Sequence, residues 1–559
     1  MGNSDLPILM TSPGNSSSYL PAPNAEIDCI VVGYNDLDFQ QFIKIQKDLA
    51  GFSGAYWEAK SNSVFLHGRR INYMDLLNHS LKRATGVDPQ LNIFEVPSLG
   101  ACYLTSFLRK RGFNAELVNF FNQGRETLVD LLSCSPNAVA ITTTYYVDPT
   151  PIIDIVRFVR KHNEKAKIIV GGPFTYHLCL EHDQATQDYF LRSIGADIYV
   201  FDSQGEQSLS RVCGALRDPE RSELSSIPNL IYTFDNETFY RTTRSIEDNR
   251  LDDNFIDWSR FSKDFFKLPI YVRTALSCPF ACSFCSFPAV AGEHKLASIE
   301  VVEQHLRYIH SMGAKQVVFI DDTFNVPLTR FKNLLRMMIK NMFDFQWISF
   351  FRCSNADDEA FDLMQESGCA AVFLGIESGD QGVLNNMNKF ANIQKYREGI
   401  RKLNAHGIAT FASMITGFPG ETRESVMNTI NFLEDAAPTF FNVQLYYHDI
   451  GTPIQSQAEK YGITGAGYSW SHATMDWKEA VSWVEHIYRT IQNSLPLTLY
   501  GFSIWSLPYL MGKGITIEQV KQFAATARHL LVESFGDVEM DFTHYENKLA
   551  SIFQDRRTP

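Results

Sequence analysis

The chain has 559 residues, a formal net charge of −13, and a composition that is 45% hydrophobic and 20% charged. That length exceeds what one hydrophobic core supports and implies about three domains. The balance is ordinary for a globular protein, the acidic charge without a long basic stretch disfavours nucleic acid as a partner, and no apolar run is long enough to span a membrane.

Residues 1–24 are rich in Ser, Asn, Gly and Pro. They lack a basic start and an apolar stretch, so they read as a flexible tail and not as a secretion signal. The ten cysteines are dispersed apart from one triplet. That is the usage of a reducing cytoplasm, where Cys29, Cys102 and Cys213 serve as small buried apolar residues.

Residues 25–225 alternate strand and helix. Leu104, Phe107 and Leu108 have helical spacing, and Arg109-Lys110-Arg111 with Gly112 suits a helix C-terminus. Strands follow at Glu116–Phe120, Ala138–Thr142, Lys167–Val170 and Ile198–Phe201, with a helix over Ile152–His162. This order predicts a doubly wound parallel sheet, whose ligands sit at the strands' carboxyl ends. Those ends carry Thr142-Thr143-Thr144, Gly171-Gly172 and Ser203-Gln204-Gly205-Glu206. Glycine after a strand is also ordinary turn chemistry, and the absence of G-x-G-x-x-G disfavours a dinucleotide.

The segments Pro97-Ser98-Leu99-Gly100, Arg111-Gly112-Phe113, Val170-Gly171-Gly172-Pro173 and Gly195-Ala196-Asp197 before Gly205-Glu206 resemble the Rossmann-like cobalamin-binding domain found in front of many radical S-adenosylmethionine (SAM) enzymes. The resemblance implies bound cobalamin, with contacts from Ser98, Leu99, Gly100, Thr143, Thr144, Gly171, Gly172, Gly205 and Glu206. D-x-H-x-x-G is absent, which implies no protein histidine on cobalt.

Residues 226–268 are polar and acidic, with Asp252-Asp253-Asn254 before Trp258, and read as a linker. Six apolar segments then fill 269–450: Ile270–Leu276, Gln316–Ile320, Gln346–Phe351, Ala371–Gly375, Ala409–Ile415 and Asn442–Tyr447. The later ones are separated by amphipathic stretches such as Val302, Leu306 and Ile309. After the first segment come Cys278, Cys282 and Cys285 in C-x3-C-x2-C spacing, with Phe284 just before the last. Three thiolates are one short of the four of an ordinary 4Fe-4S cubane. The open iron can chelate the amino and carboxylate groups of SAM and pass it an electron, releasing a 5′-deoxyadenosyl radical. Structural zinc needs a fourth ligand, usually from a second close pair, and none follows at suitable spacing.

Six β/α units around such a triplet resemble the partial (β/α)6 barrel of the radical SAM superfamily, with chemistry at the C-terminal rim. On that rim lie Asp321-Asp322 after the second segment, Arg352 after the third, Glu377-Ser378 after the fourth and Gly417 after the fifth. The resemblance assigns these regions to the amino group, carboxylate, ribose and adenine of SAM, with Phe284 flanking the adenine. Asp321-Asp322 stands where the superfamily has G-G-E. The plainer readings are an ion pair for Arg352 and packing for Phe284.

Residues 451–559 read as a helical domain rich in aromatics, including Trp470, Trp477, Trp483 and Trp505. Most are core residues, and His448 reads as a satisfied structural histidine rather than an acid or base.

Val31-Val32-Gly33-Tyr34-Asn35-Asp36, Ala140–Tyr145, Ile169–Phe174, Tyr446-Tyr447-His448-Asp449 and Trp470–Trp477 make the whole chain resemble the cobalamin-dependent radical SAM group typified by the P-methyltransferase of phosphinothricin tripeptide biosynthesis. That resemblance implies methyl transfer through methylcobalamin to a phosphinate phosphorus or an sp3 carbon of a small or carrier-bound natural-product precursor. It also implies an electron donor such as flavodoxin or ferredoxin, and a cytoplasmic location. A non-methylating cyclisation or rearrangement and a non-enzymatic cofactor sensor are the alternatives.

Overall fold

The computed structural model describes residues 26–36, 38–146, 148–220, 223–498, 500, 502–536 and 541–554; the tail expected over 1–24 lies outside them. The chain divides into two compact units. One comprises Phe94–Phe265 with the segment before Asp38, the other Asp38–Ile93 with the chain from Phe266 onward.

The first unit is a seven-stranded sheet in the spatial order Ala115–Phe120, Cys29–Tyr34, Ala138–Thr142, Lys167–Gly171, Ile198–Val200, Leu230–Tyr232, Tyr240–Arg241. The first five strands are parallel and the last two antiparallel. Side chains alternate between faces along each strand. Ile30, Val32, Val139 and Ile141 therefore pack with Leu128, Ile155 and Leu191 on one face. Cys29, Val31, Ala138 and Ala140 pack with Leu108, Leu209 and Val212 on the other. Both faces are covered by helices, as a doubly wound parallel sheet requires.

Two features differ from expectation. The strand Cys29–Tyr34, second in the sheet order, is missing from the four expected; all six of its residues are buried, and a six-residue apolar run carries no periodicity of its own. The expected linker over 226–268 is instead, as far as Phe265, part of this unit and supplies its two antiparallel strands. Its Glu247 carboxylate accepts from the Gln207 and Ser208 backbone N–H groups, each at 2.7 Å. It thereby caps the N-terminus of helix Glu206–Arg217.

The second unit holds an open sheet of seven parallel strands in chain order: Ile270–Val272, Gln316–Phe319, Gln346–Phe350, Cys369–Glu377, Ala409–Thr416, Phe440–Leu445 and Leu495–Pro496. Six are the expected segments. Amphipathic helices connect them, as in Ile299–Ser311, which buries Val302, Leu306 and Ile309. This is a partial barrel, and every loop that follows a strand opens on one rim.

Residues 38–93, expected in the first module, belong to this unit. Glu58 accepts the Leu445 N–H at 2.8 Å, Asn62 accepts from Asn442 Nδ2 at 3.1 Å, and the Tyr73 ring packs edge-on to Phe523 at 5.8 Å. Residues 451–559 are mainly helical in their described part, with Trp477–Thr490, Ser506–Gly512, Ile517–Glu533 and Thr543–Gln554. They form no separate domain, because Leu495–Pro496 extends the barrel sheet.

Candidate functional site

The cysteine loop leaves the barrel just after its first strand and is held at both ends. At its start, fully buried Asp321 accepts from the backbone N–H of Thr274 at 2.6 Å and of Ala275 at 3.0 Å. Arg330 donates to the Thr274 carbonyl at 3.2 Å and the Ala297 carbonyl at 2.9 Å. Ser277 sits at φ +64° and donates to the Gly292 carbonyl at 2.7 Å. Within the loop, Ser283 bonds the carbonyls of Met387 and Asn386, both at 2.9 Å. Asn388 reaches the Ala281 carbonyl at 2.7 Å.

Burial raises the Cys282 thiol, opposed chiefly by the charges of Lys389 and Arg352. It pushes Cys285 up to about 11, with Cys282, Cys278 and Asp322 adding to the rise. The thiols thus feel one another and two cations, a setting that favours thiolates once a metal replaces their protons. Among the described residues, three His, Cys, Asp or Glu donors close to within 4.8 Å of one another only at His67, His79 and Glu546. At least one separation among the three sulfurs therefore exceeds 4.8 Å, wider than the roughly 3.8 Å that a single tetrahedral ion with 2.3 Å bonds demands.

Arg352 is the most informative side chain on the rim. Its backbone N–H and carbonyl are fixed by Asn325 at 2.9 and 3.0 Å, and its guanidinium lies 3.7 Å from the Phe280 ring centroid. It is buried, and its Nε and Nη2 find no acceptor. The ion-pair reading fails. A buried fork with free donors suits an incoming carboxylate.

Glu377 sits at φ +68°, at a register shift in its strand, and pairs with Lys389 Nζ at 2.9 Å. Burial opposes charge on Lys389, but Glu377, Tyr396 and Cys282 outweigh it and hold the ammonium protonated. A Cβ on Gly375 would stand 2.5 Å from Glu377 Oε1, so that glycine makes room for the pair. Lys389 also lies 5.3 Å from the Phe284 ring. No local motif marks Lys389, and sequence reasoning missed it.

The other rim residues divide. Asp322 faces open space yet is crowded by protein, which pushes its carboxyl up to about 6 despite Arg273. Asp321 is engaged with Thr274. Ser378 is fully buried, 3.3 Å from the Thr429 hydroxyl, and accepts the Asp380 N–H at 3.1 Å. Gly417 has φ +95°, and a Cβ there would meet Trp470 at 2.5 Å. Its carbonyl faces His472 Nε2 at 3.1 Å.

Phe284, Phe418, Tyr446 and Trp470 form a continuous aromatic chain with centroid steps of 6.4, 5.2 and 5.5 Å. His448 Nδ1 lies 3.1 Å from the Gly465 carbonyl, and a carbonyl only accepts, so Nδ1 carries the proton. The buried Nε2 and the Tyr446 hydroxyl have no partner, so His448 is half-satisfied rather than satisfied.

At the carboxyl ends of the doubly wound sheet, Gly172 has φ +111°, and a Cβ there would press on Thr143 Oγ1 at 2.9 Å. Thr143 is fully buried and donates to the Gly171 carbonyl at 3.0 Å. Ser98 caps helix Leu99–Lys110, and a Cβ on Gly100 would stand 3.4 Å from Thr144 Oγ1. Gly205 is left-handed at the start of its helix, and Glu206 Oε2 accepts from Asn249 at 2.6 Å. Leu99 is half-buried. Asn35 Oδ1, just past strand Cys29–Tyr34, and Thr175 Oγ1, in the first turn of helix Pro173–Glu181, are buried without partners. Unpartnered buried oxygens beside close backbone approaches fit a large polar ligand.

Residues 272–433 match the family model of the radical SAM superfamily. An uncharacterized methyltransferase of Pyrococcus horikoshii is 26% identical over 349 residues, which are 60% of this chain and 72% of that protein. The ribosomal protein uS12 methylthiotransferase RimO of Desulforamulus reducens is 27% identical over 197 residues, 33% of this chain and 44% of its own length. An uncharacterized methyltransferase of Synechocystis sp. is 26% identical over 304 residues, 51% of this chain and 49% of its own. The chain therefore spans about half or less of the latter two.

Among solved structures, the radical SAM methyltransferase TsrM of Kitasatospora setae, with cobalamin and a 4Fe-4S cluster bound, aligns with a TM-score of 0.58 at 16% identity. That match covers 83% of this chain and 96% of that one. The cobalamin-dependent radical SAM enzyme OxsB, with aqua-cobalamin and SAM bound, aligns at 0.54 and 14% identity over 94% and 70%. The shared fold is that of cobalamin-dependent radical SAM enzymes. Among the described residues no helix is long and apolar enough to cross a membrane.

Proposed function

We propose that this radical SAM enzyme is a cobalamin-dependent methyltransferase acting on an unactivated centre, a phosphinate phosphorus or an sp3 carbon, of a small or carrier-bound natural-product precursor. The observation that carries the reading is the buried Arg352 guanidinium, whose Nε and Nη2 have no partner and whose charge acts on Cys282, in a chain that also folds a doubly wound unit. A TsrM structure holding tryptophan and a SAM analogue, similar to this chain with a TM-score of 0.53, supports a small-molecule substrate. Flavodoxin or ferredoxin would deliver electrons in the cytoplasm.

In this reading Cys278, Cys282 and Cys285 hold the cluster, Arg352 takes the SAM carboxylate, Asp322 its amino group, Glu377 its ribose, and Phe284 with the Gly417 backbone its adenine. The strand ends around Ser98, Thr143 and Gly172 hold cobalamin with no histidine on cobalt. When bound, these groups supply one-electron cleavage of a sulfonium and a transferable methyl group. The chain does the rest. Lys389 and Arg352 offset the thiolates' negative charge. Asp321 and Arg330 fix the loop. The aromatic chain from Phe284 to Trp470 excludes water from a site where a radical must not meet solvent. Asp321, first assigned to the amino group, acts here as a positioning residue.

The test is turnover of anaerobically reconstituted enzyme with methyl-labelled SAM and a reductant. Labelled product together with 5′-deoxyadenosine supports the reading. 5′-Deoxyadenosine with an unlabelled product favours cyclisation or rearrangement, and cofactor binding with no 5′-deoxyadenosine favours a sensor.

A further inference from the structure

We propose that His67, His79 and Glu546 form a divalent metal site, filled by zinc, that clips the C-terminal helix onto the hairpin and helix of residues 64–85. Each ligand comes from a different element. His67 lies in the turn between strands Val64–Leu66 and Arg69–Ile71, His79 on helix Tyr73–Thr85, and Glu546 on helix Thr543–Gln554. Both Nε2 atoms converge on the same oxygen, Glu546 Oε1, at 2.9 and 2.8 Å, and the three donor atoms all lie within 4.8 Å of one another. Two bonds to a tetrahedral ion at about 2.05 Å separate their donors by roughly 3.3 Å, so each nitrogen–oxygen pair opens by about half an ångström while the two nitrogens, within 4.8 Å of each other, settle around the ion.

The local backbone is arranged for this convergence. His67 and Gly68 both have positive φ, +51° and +76°, the two-residue reversed turn in which Asn-Gly is the usual pair. Histidine at that position carries its imidazole to the carboxylate. The Glu546 side chain is only 5% exposed. Arg83, one turn beyond His79, bonds Asn547 at 2.7 Å, which leaves the carboxylate to the imidazoles.

Two imidazoles and one carboxylate, with no thiolate, select zinc and its neighbours in the first transition row over calcium or magnesium. The His67 side chain is 64% exposed, so water can complete the tetrahedron. Three protein ligands and a water make an open zinc site. Its position, joining residues 479 apart in the chain, suits a clip.

The experiment uses full-length protein with its iron–sulfur cluster reconstituted, equilibrated with micromolar zinc chloride and then dialysed against metal-free buffer. Wild type is expected to retain about one zinc per chain beside its iron, and zinc is expected to raise its melting midpoint by about 3 °C. Glu546→Gln keeps the shape and a hydrogen-bonding group; it should retain less than a tenth of the zinc and show no zinc-dependent shift. His67→Ala with His79→Ala should do the same. No zinc in wild type, or equal zinc in wild type and Glu546→Gln, overturns the proposal.

Discussion

Arg352→Met separates binding from stability, because the two should move in opposite directions. In the protein alone the Arg352 guanidinium is buried with Nε and Nη2 unpartnered, and each such donor costs about 1–3 kcal/mol. Its stacking on Phe280 at 3.7 Å returns about 1–2 kcal/mol. Methionine fills a similar volume without polar atoms, and the residue's main-chain bonds to Asn325 at 2.9 and 3.0 Å survive the change. The ligand-free variant should therefore be as stable as wild type or about 1 kcal/mol more so.

SAM binding should suffer instead. Two charge-assisted bonds to a carboxylate in a buried site contribute about 3 kcal/mol, and at 1.36 kcal/mol per tenfold that is a loss of about 100-fold in affinity. Arg352→Lys, which keeps the charge but not the fork, should fall between. The assay is equilibrium dialysis of SAM against cluster-loaded protein, with iron content and melting midpoint measured on the same samples. A SAM affinity within threefold of wild type, at full iron loading, would refute the role assigned to Arg352.

Replacing Cys278, Cys282 and Cys285 together with Ala should abolish the broad cluster absorbance after anaerobic reconstitution, with iron near zero by colorimetric assay. Asp321→Asn turns an acceptor of the Thr274 and Ala275 N–H groups partly into a donor; it should cost about 3 kcal/mol and lower iron retention, read by denaturant titration and iron content. Gly417→Ala places a methyl group 2.5 Å from Trp470 at φ +95° and should cost more than about 2 kcal/mol, read as a fall in melting midpoint. Burial pushes Glu421 up to about 8, above its unfolded value, so its contribution to stability is full below about pH 4.5 and is lost as pH rises through 8. Melting curves of Glu421→Gln and wild type should therefore converge near pH 5 and separate in the variant's favour by pH 8.

What the sequence determined by itself is whatever chemistry or geometry confines to a short stretch of chain. Cys278, Cys282 and Cys285, the proposed cluster ligands, are legible because all three lie in one short loop. The strands Ala138–Thr142 and Lys167–Gly171 are legible as short apolar runs bounded by turn residues, and the five β/α repeats that follow Ile270–Val272 as such runs alternating with amphipathic helices.

What only the tertiary structure decided depends on residues brought together across the barrel or from distant segments. Lys389 meets Glu377 through a bulge in one strand. Asp321 turns from a candidate ligand into the anchor of Thr274 because two strands run side by side. The two ends of the second unit meet where Glu546 lies between His67 and His79. Residues 38–93 follow strand Cys29–Tyr34 of one sheet in sequence yet pack in the other unit. Their apolar faces advertise burial without naming the partner, since hydrophobic burial is non-directional and only the complementary surface, once folded, selects where such a face goes.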